Sequence, residues 1–257
     1  MSSRFSHLEF SQPPEHTTTF TGSATSRAET LETEALTAFE MERFEEALRL
    51  YSRILDFDAR SRSSWTGQVF SLIQSGDPNS SYQWAARAVE EFPDDSQLRA
   101  LLAITLVRKQ RLIEAQALSD DIRSPDLLTW IARMELQLAR KDGLAEHCQN
   151  QALAAESDSW KTPWLLSRSR TQYGQHAAAL KLAREAITRM ATHSTPWLQQ
   201  SRCEFALGLR EKAMNSIHRA RELAPDSEVI AGTLRTFQAT PRGLRRFFPW
   251  IGGHRTI

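Results

Sequence analysis

The sequence predicts an all-α protein made of helix–turn–helix repeats, and three periodic features lead to that prediction. A small residue recurs six times at the same position of the repeat, at Ala47, Ser81, Ala115, Ala145, Ala179 and Ala213. Four of the five intervals in this series are equal, and the third is shorter by about one helical turn. A second small or apolar residue follows each member seven positions later, so both lie on one face of a helix. Glycine recurs midway through three repeats, at Gly76, Gly174 and Gly208.

Residues 1–27 show no sustained helical period. They are rich in Ser and Thr, with scattered apolar side chains at Phe5, Leu8 and Phe10. This composition is typical of a flexible N-terminal arm. Two further interpretations stay open for the apolar trio, which would dock on a partner or fold back onto the protein's own groove.

Residues 28–227 are predicted to form six repeats, with starts near 28, 62, 96, 126, 160 and 194. The glycines at 76, 174 and 208 are expected to end a first helix by adopting positive φ. Pro93 and Pro225 are expected to end a second helix. The third repeat is the short one, and the early Pro125 places the missing turn at the end of its second helix.

Two segments follow the repeats. Residues 228–240 keep helical spacing through Val229, Leu234 and Phe237, which predicts a capping helix. Residues 241–257 form a basic and aromatic tail that contains four arginines and no acidic residue.

The sixth repeat resembles the tetratricopeptide repeat, a helix–turn–helix unit of about 34 residues. The resemblance rests on the spacing of Trp197, Gly208, Ala213, Ala220 and Pro225. It extends over residues 28 to about 240. The family implies a right-handed superhelical solenoid whose concave groove is lined by the first helix of each repeat.

By this resemblance the groove positions carry apolar and aromatic side chains, with arginines toward the C-terminal half. The expected partner-binding residues are Phe70, Ile73, Trp130, Met134, Trp164, Arg168, Arg202 and Phe205. Trp130 and Trp164 lie one position beyond the tryptophan slot of Trp65 and Trp197, so an alternative makes them core residues displaced by a register slip. Arg170 and Glu204 have a structural alternative too, as an ion pair between repeats.

The tail allows two interpretations. Bulky apolar residues beside arginines are the composition of a short interfacial membrane anchor. Alternatively, the aromatic residues fold back and cover the exposed end of the last repeat. Both interpretations use Arg245, Arg246, Phe247, Phe248 and Trp250.

No pattern in the sequence predicts chemistry. There is no phosphate-binding glycine loop, no His-Glu-x-x-His pair and no Gly-x-Ser-x-Gly elbow. His147 and Cys148 are adjacent on a predicted helix, which points them about 100° apart and does not suit two ligands of one metal. We therefore expect no catalytic, cofactor or metal site. The net charge of +1 also gives no reason to expect nucleic acid.

These observations predict a non-catalytic scaffold or adaptor that binds a protein or peptide in the groove. The alternative is a peripheral membrane adaptor held by its tail. The sequence has no secretory signal pattern and no apolar run of about 18 residues, so we expect a cytoplasmic protein. An apolar groove would also allow a homo-oligomer.

Overall fold

The computed structural model describes residues 22–240, and side chains from residue 27 onward. The predicted arm and tail therefore fall largely or wholly outside the described residues. Within that range the chain forms thirteen α-helices and no strand. The helices are α1 Gly22–Glu40, α2 Phe44–Phe57, α3 Arg62–Ser75, α4 Pro78–Glu91, α5 Ser96–Arg108, α6 Leu112–Asp120, α7 Leu127–Arg140, α8 Ala145–Ala155, α9 Lys161–Gln172, α10 His176–Arg189, α11 Ser194–Ala206, α12 Arg210–Leu223 and α13 Glu228–Ala239.

The described chain divides between Ile122 and Arg123 into two compact units. Unit 1 contains α1 to α6, and unit 2 contains α7 to α13. In both units the odd-numbered helices up to α11 are the first helices of repeats and the even-numbered helices are the second helices. The prediction of an all-α helical repeat protein is confirmed.

The two periodic packing positions of the second helices are buried in every repeat. At the first position the exposed fraction never exceeds 6%, the value for Ala145. Four of the residues at the second position are alanines with no exposed surface, and the other two are Ile54 and Ile122. Small side chains at these places let neighbouring helices approach closely, which is why the spacing is visible in the sequence.

A left-handed residue separates the two helices of every repeat. Three are the predicted glycines, with φ of 83° at Gly76, 71° at Gly174 and 78° at Gly208. Five of the six turns add a second hydrogen bond characteristic of a helix C-cap, as Leu209 N donates to Glu204 O at 2.8 Å. The remaining repeats place larger residues in this conformation, at Glu42, Gln110 and Lys141.

Pro93 and Pro225 follow the ends of two second helices, and α2 and α10 end with similar backbone geometry without a proline. Helix α4 stops at Glu91 and α12 at Leu223, and the next residues, Phe92 and Ala224, have ψ of 70° and 76°. The third repeat is also shortened where expected, because α6 has 9 residues whereas α4 and α12 have 14.

Unit 2 ends on a helix that closes its core. Ile230, Leu234 and Phe237 of α13 are buried in a cluster with Leu198 and Ile217. Arg210 adds polar contacts, since its guanidinium donates to Phe237 O at 2.5 Å and to Thr240 O at 2.7 Å. These are carbonyls at the C-terminus of α13, where a cation is favourable.

Candidate functional site

The candidate site is built on the first helices. In unit 1, α1 packs beside α3 and α3 beside α5. In unit 2, α7 packs beside α9 and α9 beside α11. Polar side chains join these three helices, and we call them the polar seam of unit 2. They are Glu135, Ser167, Ser169, Thr171, Tyr173 and Gln199.

The first part of the seam joins α7 to α9 through Glu135. This carboxyl group has no exposed surface. It accepts hydrogen bonds from Ser169 Oγ at 2.8 Å and from Tyr173 Oη at 3.2 Å. A buried carboxyl group is stable only with such donors, so α7 and α9 are held in one relative register.

The second part joins α9 to α11 through Gln199. Its Nε2 lies 3.1 Å from both Ser167 Oγ and Thr171 Oγ1 and 3.6 Å from Cys203 Sγ. Ser167 also donates to Ala179 O at 2.8 Å, which ties α9 to its own second helix. Burial raises the pKa of the Cys203 thiol, so this cysteine is a packing residue and a poor nucleophile at neutral pH.

Arg170 and Glu204 do not form the ion pair that one interpretation of the sequence gave them. Arg170 Nε donates to Gln149 Oε1 at 2.6 Å, and its Nη1 contacts Gln175 Oε1. Burial lowers the pKa of Arg170. Each of the two residues instead has polar partners in its own repeat or in the one before it. The partners of Glu204 are Ser216 Oγ at 2.7 Å, Gln200 Nε2 at 3.1 Å and Arg184 Nη2 at 3.6 Å.

The two predicted groove arginines lie beside this seam. Arg168 on α9 and Arg202 on α11 occupy the same place in consecutive repeats. Their exposed fractions are 8% and 7%. The Arg168 guanidinium carbon lies 5.7 Å from the ring centroid of Trp164. The structure thus holds two neighbouring positive charges at nearly buried positions.

Three of the predicted groove residues are core residues instead. Met134 and Trp164 have no exposed surface, and Ile73 is 2% exposed. Their side chains are enclosed in the packed interior of their own units, so they stabilise the fold and offer no surface to a partner. Trp164 is therefore a core residue, as the alternative held, but it precedes Gly174 by ten positions and shows no register slip.

Phe70, Trp130 and Phe205 are half-buried. The ring of Phe70 lies 5.1 Å from that of Phe39, and Phe205 stacks on Phe237 at 4.1 Å. Each ring keeps one accessible side while it contributes to packing. The Arg133 guanidinium carbon lies 5.0 Å from the ring of Trp130.

Trp130 shows the register slip that the sequence analysis left open. It precedes the left-handed residue Lys141 by eleven positions, as Trp65 precedes Gly76 and Trp197 precedes Gly208. Helix α7 accordingly begins at Leu127, one residue after the predicted start of its repeat. Counted back from Lys141, buried Met134 takes the place that Val69 has before Gly76.

Glu135 and Gln199 were not among the predicted site residues, because each is a single polar residue among residues assigned by repeat position. One signal was present for Glu135, since it interrupts the apolar face of LLTWIARMELQLA in residues 127–139. A charge at a core position predicts a buried network with specific donors.

Neither a metal-binding cluster nor a membrane-spanning helix occurs in the part of the chain that the structure describes. No group of three or more His, Cys, Asp or Glu side chains there is placed to hold a metal ion. In the same range no helix combines the length and apolarity needed to cross a bilayer.

Comparison with known proteins supports the fold. No family model matches the sequence, and the curated proteins contain no match. Among solved structures, a tetratricopeptide repeat protein from Parabacteroides merdae is similar over 82% of this chain and 84% of that one, with a TM-score of 0.51 and 14% identity. A thermophilic protein of the same repeat class from Thermus thermophilus matches 82% of this chain and 98% of its own, with a TM-score of 0.49 and 11% identity.

A third similar structure is YrrB, described as a tetratricopeptide-repeat protein with an unusual peptide-binding site. It covers 72% of this chain and 97% of its own, with a TM-score of 0.40 and 12% identity. At 14% identity, the similarity to the Parabacteroides structure bears on the fold alone. The similarity to the Parabacteroides structure and the repeat geometry together show that this chain has the tetratricopeptide-repeat fold.

Proposed function

We propose that the protein is a non-catalytic, cytoplasmic scaffold that binds a protein or peptide on the first helices of unit 2. Helical repeats that stack side by side present a continuous surface, and such surfaces commonly bind extended or helical peptides. Here that surface would lie along α7, α9 and α11, beside the polar seam.

The observation that carries the proposal is the placement of Arg168 and Arg202. They are two like charges at equivalent positions of adjacent helices, and the seam fixes those helices in register. An acidic group of a partner that lies across α9 and α11 would be attracted to both guanidinium groups. The half-buried rings of Trp130 and Phe205 would provide apolar contacts on either side.

Charge reversal at both arginines tests this proposal. Affinity capture with the full chain, followed by mass spectrometry, is compared with capture by the Arg168→Glu, Arg202→Glu variant. The proposal predicts that the double variant loses at least one reproducible partner by about tenfold, since like charges across an interface oppose binding. A capture profile identical to wild type would contradict the assignment.

Two controls separate binding from folding. Arg219→Glu with Arg221→Glu reverses two exposed charges on α12 and should retain the partner. Because Arg168 and Arg202 are nearly buried, their charge reversal can also weaken the fold. The variant Arg168→Lys with Arg202→Lys keeps both charges and removes the planar fork, and it should give an intermediate loss while melting near wild type.

A further inference from the structure

The turn between α11 and α12 differs in composition from the turns of the other repeats. It carries leucine on both sides of the left-handed residue Gly208, at Leu207 and Leu209. These two side chains are 40% and 39% exposed. Single exposed apolar residues are common on protein surfaces, whereas two in one turn form a small patch. We call residues 207–209 the apolar turn of the sixth repeat.

The equivalent turns of the earlier repeats are more polar. The residue after the left-handed position is polar or charged in each of the five earlier repeats of the described chain, at Arg43, Asp77, Arg111, Asp142 and Gln175. Four of these turns make the same hydrogen bond that Leu209 N makes to Glu204 O, as Gln175 N does to Arg170 O at 3.0 Å. The backbone of the turn therefore does not require leucine, and the two leucines need another explanation.

The described chain ends beside this turn. Arg210 directly follows Leu209, and its Nη1 donates to the carbonyl oxygen of Thr240 at 2.7 Å. Its Nη2 donates to Phe237 O at 2.5 Å, so the C-terminus of α13 is fixed next to the start of α12. The residues that follow Thr240 therefore begin within one arginine side chain of the apolar turn, in the same unit.

The segment after Thr240 has the composition that would cover this turn. Residues 244–251, LRRFFPWI, contain five large apolar side chains, and residues 241–257 contain no acid. Pro241 and Gly243 stand at the start, where they favour a change of chain direction. Phe247 follows Thr240 by seven residues, which span at most about 25 Å in an extended chain. The apolar residues can thus fold back as far as Leu209.

We infer that the apolar turn of the sixth repeat is a docking site for residues 244–251 of the same chain. The aromatic side chains of the segment would cover Leu207 and Leu209, since this removes apolar surface of both partners from water. The docked segment would close the last repeat, because an uncovered apolar end of a repeat array favours association between molecules. The inference does not depend on the proposed function, which rests on Arg168 and Arg202. Either one can fail while the other stands.

Tryptic cleavage after Arg245 tests the docking, because a docked segment is cut only when it is released. The full chain and its Leu207→Ser, Leu209→Ser variant are digested under the same conditions, and intact-mass spectrometry follows the products. We expect this turn variant to be cut after Arg245 about tenfold faster than wild type. The segment variant Phe248→Ser with Trp250→Ser should be cut faster by a similar factor.

Combined and control variants show whether the two sites touch each other. All four substitutions together should give no faster cleavage than either pair, since each pair already removes the same contact. Leu144→Ser with Met190→Ser, at two other exposed apolar positions of unit 2, should leave the rate unchanged. The melting temperature of every variant is measured as well. The segment variant changes only residues after the last described helix and should melt like wild type, so it decides the test if the turn variant melts lower.

Four results would overturn the inference. Wild type and both variants could be cut at equal rates, or the two pairs of substitutions could multiply their effects in the combined variant. Cleavage of wild type could accelerate on dilution, which would mean that a second copy covers the turn. Wild type could also be cut as fast as a free peptide of residues 241–257 while the chain sediments with anionic vesicles, which would make the segment a membrane anchor.

Discussion

Helices α5 and α9 are both first helices of repeats, and both bury nearly their whole length, but with opposite chemistry. The buried residues of α5 are apolar apart from Thr105. Helix α9 buries nine consecutive residues, from Thr162 to Arg170, and five of them are hydroxyl or guanidinium side chains. The two helices thus take the same place in a repeat with different buried surfaces.

The difference concerns how strictly neighbouring helices are positioned. Apolar contacts are not directional, so α5 can shift slightly against its neighbours at little cost. Each buried polar group of α9 needs a partner at hydrogen-bond distance, and a shift would leave it unsatisfied. We therefore expect the polar seam to fix the register of α7, α9 and α11 more strictly than apolar packing fixes α5.

The two units also differ in net charge. Residues 27–122 contain 11 Lys and Arg against 17 Asp and Glu, whereas residues 123–240 contain 16 against 12. The near-neutral total of the chain conceals an acidic unit 1 and a basic unit 2. The proposed binding surface follows this division, since Arg168 and Arg202 lie in the basic unit and suit an acidic partner.

The largest expected effect concerns the tryptophan in the middle of α9. Trp164→Ala removes a fully buried ring and should cost about 3–5 kcal/mol in the free energy of unfolding. Trp130→Ala is the matched control and should cost clearly less, because its ring is half-buried. Urea unfolding followed by circular dichroism measures both. Equal losses would show that the two tryptophans have the same structural role.

Most of the fold could be predicted from the sequence because it depends on local rules. A small residue at a helix contact, a glycine with positive φ and a proline after a helix each act within a few residues. Ala179, Gly208 and Pro225 are examples. The slip at Trp130 could be raised only as an alternative, because Lys141 adopts the left-handed conformation that glycine marks in other repeats.

The candidate site was harder to predict because burial at a first helix depends on several neighbours at once. The family's groove positions indicated which residues share a face, and Arg168 and Arg202 do occupy equivalent places. The groove positions did not indicate that Met134 and Trp164 would be completely buried. The partners of Glu135 lie 34 and 38 residues along the chain, beyond the range of any local pattern.

The second prediction concerns close packing in unit 1. A Cβ atom added at Gly67 in α3 would lie 2.2 Å from the ring of Tyr51. Gly67→Ala should therefore destabilise the fold by about 2–3 kcal/mol through overpacking, even though alanine favours a helix.

Gly232→Ala in α13 is the matched control, because its nearest neighbour would be Arg235 Nη2 at 3.9 Å. It should stabilise the protein by about 0.5–1 kcal/mol. Thermal unfolding of both variants gives the comparison. If Gly67→Ala also raised Tm, the contact between α2 and α3 at Gly67 would not be close-packed.

The smallest expected effect tests the polar seam itself. Ser169 donates to a buried carboxyl group on another helix, whereas Ser201 donates to Leu198 O within its own helix at 2.7 Å. Ser169→Ala should cost about 1.5 kcal/mol, because Glu135 loses a donor that water does not readily replace. Ser201→Ala should change stability by less than about 0.5 kcal/mol, since the helix backbone still satisfies that carbonyl. Both serines are buried, so their difference isolates the bond between helices. Equal values in urea unfolding would mean that the seam adds no positional constraint, and α9 would then be held by its apolar residues just as α5 is.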